Sequence, residues 1–257
     1  MPGRPVVFLG PSLPLDRARS ELPDAVFLPP IKRGSLLPLL DAPPASIGII
    51  DGEFFQSFAI STQEILLFLE RGIPVFGSSS MGALRAVELA PYGMVGIGAV
   101  FEMFRDERLQ ADDEVAMVFC PTTLAPLSEP MVNFRVALAE CGRSGLLSAD
   151  EVCHLTAALK AAYFPDRTLP RFYAELQRLV GATRAQTIRE WWRHDAPNVK
   201  AQDALLLLRR VHSIHSADAR ALRQPAANPP APHSTAQHLA RTSSTSPTCP
   251  APSGQQR

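Results

Sequence analysis

The run Gly77-Ser78-Ser79-Ser80-Met81-Gly82 holds the residues of this sequence best suited to chemistry. An apolar stretch, Pro74-Val75-Phe76, leads into it, and a helical segment follows from about Met81 through Leu89. A serine in a tight strand-to-helix turn presents its hydroxyl, while the helix N-terminus offers N–H groups to a developing oxyanion. In a small-x-Ser-x-Gly frame the nucleophile is Ser80; in the neighbouring frame it is Ser79, and the first frame is preferred. Gly77 and Gly82 let the backbone turn sharply beside it, and Met81 supplies an N–H group. Two plainer roles compete: helix capping by serine and anion binding without chemistry. A P-loop is excluded, because no Gly-Lys-Ser/Thr follows the glycine.

A serine nucleophile needs a base. All six histidines, His154, His194, His212, His215, His233 and His238, lie far beyond the serine loop in sequence. The only lysines are Lys32, Lys160 and Lys200, and Lys32 alone follows a strand end. The simplest Ser-Lys pair is therefore Ser80 with Lys32. Asp51, at another strand end, is placed to orient a base or contact substrate. Arg85 and Glu88 are spaced to pair across a helical turn. Asp112-Asp113-Glu114 reads as a solvated acidic turn before a strand, and no metal site is expected there. Cys120, Cys141, Cys153 and Cys249 have no C-x-x-C spacing, so neither zinc nor a disulfide framework is indicated.

The elements that must position these residues are legible. Val6-Val7-Phe8-Leu9, Ala25-Val26-Phe27-Leu28, Ile47-Gly48-Ile49-Ile50 and Val75-Phe76 are short apolar runs, each stopped by turn residues. Continuous runs of this kind suit strands buried on both faces of a parallel sheet. Ser61-Thr62-Gln63-Glu64 reads as a capping box opening a helix that Gly72 stops. Strand and helix alternate, as in βαβ units. Ligands of such sheets bind beyond the carboxyl ends of the strands. Those ends bring Gly10-Pro11-Ser12, Pro29 to Lys32, Asp51-Gly52-Glu53 and Gly77 to Ser80 to one rim, with Gly10 and Ser12 as candidate substrate or oxyanion contacts.

The expected organisation is an α/β domain with a parallel sheet over residues 1–124, a helical region over 125–216, and a disordered, Pro/Ser-rich tail over 217–257. Helices are expected from Ser128-Glu129-Pro130, from the capping box Ser148 to Glu151, from Thr183 onward and around Gln202 to Val211. The formal net charge of zero argues against a nucleic-acid partner. No apolar run approaches the ~20 residues of a membrane span, so a cytoplasmic location is expected. No cofactor is implied.

Several motifs together resemble the TfuA-like core domain. They are Val7-Phe8-Leu9-Gly10-Pro11-Ser12, Asp51-Gly52-Glu53-Phe54, Gln63-Glu64-Ile65-Leu66 and, above all, Ser80-Met81-Gly82-Ala83-Leu84-Arg85-Ala86. Gln202-Asp203-Ala204-Leu205 is a weaker echo. The resemblance implies an accessory of a YcaO cyclodehydratase in the modification of ribosomally made peptides. It implies release of sulfide from the C-terminal thiocarboxylate of a ThiS-like sulfur carrier, through a Ser-Lys site whose contacts here include Arg85. It implies as partners a YcaO protein, the ThiS-like carrier and a precursor peptide. Many members have His-Lys before the Glu-Ile-Leu of the second helix; here those positions are Thr62-Gln63. Two functions stay open: a serine hydrolase with Lys32 as base, and a module that strengthens YcaO's hold on its substrate without chemistry. Trp191 and Trp192 belong either to an interface or to the helical core.

Overall fold

The computed structural model describes residues 3–53 and 58–223, with side chains up to residue 217. Five short strands, β1 (Val6–Phe8), β2 (Val26–Leu28), β3 (Ile47–Ile49), β4 (Val75–Ser78) and β5 (Val95–Ile97), form one parallel sheet in the order β2-β1-β3-β4-β5. The fold is α/β. The fifth strand, Val95-Gly96-Ile97, is not among the four apolar runs of the sequence; it lies at the sheet edge and is only partly buried.

The two faces of each strand are covered differently. Val6, Phe8, Ile47, Ile49 and Val75 point toward a core with α2 (Thr62–Leu69), α3 (Met81–Leu89) and α4 (Ala99–Arg105). Val7, Leu9 and Phe76 point the other way, against α1 (Leu15–Glu21) and the long α9 (Val199–Arg223). Burial on both faces, as the uninterrupted apolar runs predict, holds for β1, β3 and β4; the edge strand β2 departs from it, with Val26 exposed. Between α4 and α9 lie α5 (Met131–Arg143), α6 (Ala149–Ala161), α7 (Leu169–Val180) and α8 (Ala182–His194), which enclose their own core around Phe134, Leu138, Leu155 and Phe172. Trp192 packs there, 4.3 Å from the Phe172 ring and 5.9 Å from Phe134, with Trp191 beside it.

Local details correct three expectations. Ser61 caps α2 by accepting the Gln63 N–H, but Glu64 does not reach back. Its two carboxylate oxygens instead accept the Gly34 N–H at 3.0 and 2.9 Å, tying α2 to the loop after β2. A capping-box sequence thus serves a tertiary bond, whereas Ser148 and Glu151 do form the reciprocal box. Asp112–Glu114 is one turn of 3₁₀ helix rather than a solvated loop, and among the described residues no strand of the sheet follows it. The last helix starts before Gln202 and continues to Arg223, through residues expected to begin the tail; residues 224–257, with His233, His238 and Cys249, lie outside the described residues.

Candidate active site

Between β4 and α3 the chain turns on a single residue. The Ser80 N–H donates to the Ser78 carbonyl at 2.7 Å, and Ser79 between them has φ +66°. A left-handed backbone at a non-glycine residue costs about 1–3 kcal/mol and persists only where the surroundings impose it. What imposes it is close packing of α3 on the sheet. A Cβ on Gly82 would lie 1.8 Å from the Ile49 carbonyl oxygen, and one on Gly77 would lie 2.1 Å from that of Gly82. Only glycine fits at either position, so their service is steric. None of the three serines caps α3 through its side chain: Ser80 is the N-cap residue but makes no capping bond, and the Ser78 and Ser79 hydroxyls are buried without a partner.

Ser80 is engaged elsewhere. Its Oγ accepts a hydrogen bond from Lys200 Nζ at 3.1 Å and donates to the Val115 carbonyl at 3.4 Å. Lys200 Nζ also donates to Val115 O at 2.9 Å, and Asp51 Oδ1 lies 4.0 Å away. Ser80, Lys200 and Asp51 are each at most 2 % exposed. Burial pushes the Lys200 ammonium below the usual lysine range, opposed by the carboxylates of Asp51 and Glu129. A buried lysine depressed in this way can hold a neutral amine beside a hydroxyl, the state a general base needs.

Asp51 is fixed in turn by the loop after β1. Its Oδ2 accepts the Gly10 and Ser12 N–H groups at 2.9 and 3.1 Å, and its Oδ1 accepts the Ser12 hydroxyl at 2.6 Å. This cluster sits just beyond the carboxyl ends of the paired strands β1 and β3, the switch point of this strand order. The Gly10 and Ser12 amides are therefore committed to Asp51, which removes Ser12 as an oxyanion donor; the Met81 amide, opening α3, is the remaining candidate.

The expected base is not at the serine. Lys32 is 55 % exposed at its side chain, with Glu53 at 3.5 Å. Gln63 is exposed at the start of α2, away from any bond to Ser80. Arg85 is committed to the Ile60 carbonyl at 3.1 Å and to Glu88 at 2.6 Å. His215 meets Ser46 and His154 meets Glu175, and no described histidine bonds to the serine loop. Lys200 follows no strand end; it lies in the first turn of α9. A signal was present nonetheless: Lys200, Asp203, Ala204, Leu207, Leu208 and Val211 share one helical face, all buried. A lysine on such a stripe needs a tertiary explanation.

Asp203 is anchored as firmly. Its carboxylate accepts the Ala99 and Val100 N–H groups at 2.9 and 2.8 Å, which seats α9 on the first turn of α4. Gly98, at φ +97°, permits this approach, since a Cβ there would fall 2.3 Å from the Asp203 carboxyl carbon. Burial raises the Asp203 carboxyl to about 6.

Residues 51–168 match the model of the TfuA-like protein family. The chain carries a TfuA-like core. The matched span holds Asp51, the serine loop and Val115, and supports a YcaO-associated role; Gly10, Ser12 and Lys200 lie outside it. No curated protein matches the chain. Among the described residues no helix is long and apolar enough to cross a membrane.

Proposed function

We propose that this TfuA-like chain hydrolyses an acyl thiocarboxylate on behalf of a YcaO protein, with Ser80 as nucleophile and Lys200, rather than Lys32, as base. The supporting observation is the buried Ser80–Lys200 hydrogen bond at 3.1 Å. Neutral Lys200 takes the Ser80 proton as Oγ attacks the thiocarboxylate carbon. The Met81 N–H at the start of α3 faces the oxyanion that forms. Collapse breaks the carbon–sulfur bond, and Lys200 returns its proton to the leaving sulfur, which departs as hydrosulfide. Water, deprotonated by Lys200, then opens the Ser80 ester to give a carboxylate and free serine. Asp51 acts through position and charge beside Lys200. The natural donor is the C-terminal thiocarboxylate of a ThiS-like carrier, and the precursor peptide is the YcaO protein's substrate. Because Ser80 is 2 % exposed, the donor's tail reaches it only after a local opening of the site.

Sulfide release from a thiocarboxylated ThiS-like carrier tests the reading. Wild type should release sulfide, while Ser80→Ala and Lys200→Met lose it and Ser79→Ala and Lys32→Ala retain most of it. If wild type releases none yet binds the YcaO protein, the hydrolase is refuted. The second reading, an accessory module without chemistry, then holds; the closed burial of Ser80 is the observation that favours it.

A further inference from the structure

A cleft of about 590 Å³ opens beside the candidate site, between the loop after β1, the end of β2 and the segment 122–126. Leu9, Leu13, Leu15, Phe27, Leu28 and Leu124 dominate its walls, and none of its lining residues carries a charge. Its size falls in the range of about 300–1,000 Å³ typical of specific ligand sites. Two of its walls are continuous with the reactive pair. Gly10 lines the cleft and donates its N–H to Asp51, 4.0 Å from Lys200. The opposite wall, residues 122–126, follows a few residues after Val115, whose carbonyl receives both Ser80 and Lys200. That wall is a small hairpin, with the Cys120 N–H on Ala125 O at 2.9 Å and the Leu124 N–H on Cys120 O at 2.8 Å. Leu124, held at φ +58°, is one of the residues lining the cleft.

We infer that this cleft is the subsite for the polypeptide segment preceding the acyl group, and that it selects segments with bulky uncharged apolar side chains close to the C-terminus. The inference rests on the hydrolase reading for its polypeptide ligand. A charged side chain entering the cleft would lose its water and meet no countercharge, which costs several kcal/mol; an apolar one displaces water from apolar walls. Gly10 in the cleft wall holds Asp51, which lies 4.0 Å from Lys200, so the Gly10 end of the cleft is the end next to the reactive pair.

Calorimetric titration of the full chain carrying Ser80→Ala tests this without requiring turnover. The probes are acetylated, amidated tetrapeptides of sequence Leu-Phe-Gly-Gly and Asp-Lys-Gly-Gly. The apolar peptide should bind at least about tenfold more tightly. Leu124→Asp should abolish that preference, and so should Leu15→Asp, at a position 43 % exposed where a carboxylate does not disturb the core. Equal affinity for both peptides, or a preference surviving in a folded Leu15→Asp variant, overturns the subsite. Loss of sulfide release with the peptide preference intact refutes the hydrolase alone; sulfide release without any preference refutes the subsite alone.

Discussion

Two groups of charge stand side by side in this molecule, one partly buried and one wholly buried, and are built on opposite principles. Around Asp113 and Glu114 every charge is met. Arg167, 1 % exposed, donates to the carbonyls of Leu159 and Ala162 at 3.1 Å, to Asp113 O at 2.7 Å and to the Asp113 carboxylate. Lys160 reaches Asp113 at 2.5 Å and Glu114 at 2.8 Å, and Arg135 grips Glu114 with two bonds of 2.8 and 2.9 Å. Burial alone would raise the Glu114 carboxyl; Arg135 and Lys160 outweigh it and hold it below its ordinary value. Around Ser80 the pairing is incomplete: Lys200 has one hydroxyl, one carbonyl and a carboxylate at 4.0 Å, and burial prevails. Completed pairing makes an anchor; withheld pairing leaves a group able to change its proton. The two are linked, because the anchor fixes the segment that ends in Val115.

The contrast can be broken at either end. The largest effect belongs to Lys200→Met, which should lower sulfide release about 10²–10⁴-fold, the usual contribution of a general base. Its unfolding midpoint should hold or rise, since an incompletely paired buried charge is replaced by an apolar chain; a destabilised variant would make Lys200 structural. Arg167→Met should behave in the opposite way, losing about 3–5 kcal/mol in denaturant unfolding because Asp113 is left short of its partner.

Asp203 sharpens the comparison by its pH dependence. With its carboxyl raised from the ordinary value to about 6, the folded state binds this proton more tightly than the unfolded state does. The resulting stabilisation is complete below the unfolded value and is lost as pH rises from about 4 through 6. It amounts to about 3 kcal/mol at most. Unfolding midpoints between pH 4 and 7 should show this decline in wild type and a flatter profile in Asp203→Asn; identical profiles would remove Asp203 as its source. The smallest effect is Lys32→Ala, which breaks only an exposed pair with Glu53 and should shift stability by under about 0.5 kcal/mol.

The sheet was readable because its cause is local and repeated. Runs such as Val6 to Leu9 and Ile47 to Ile50 bury both faces wherever they are placed, and the breakers after them fix where the strands end. Parallel pairing then brings Gly10, Asp51 and the serines to one rim before any coordinate is known. Glu64 shows where local logic stops: its spacing from Ser61 is that of a capping box, yet Gly34, distant in sequence, is the better partner.

The sequence by itself determined the α/β class, the rim that carries the candidate site, the serine turn and the TfuA-like resemblance. All of these follow from apolar pattern, turn residues and motifs spanning a few neighbours. Tertiary structure alone decided which lysine meets Ser80, because Lys200 is 120 residues away and arrives on a helix laid across the sheet. It also decided that the Ser12 amide and hydroxyl bond to Asp51 rather than face an oxyanion, since a hydrogen bond goes to whichever partner folding brings within reach. Burial had to come from the fold as well, and burial is what turns an ordinary lysine into a candidate base.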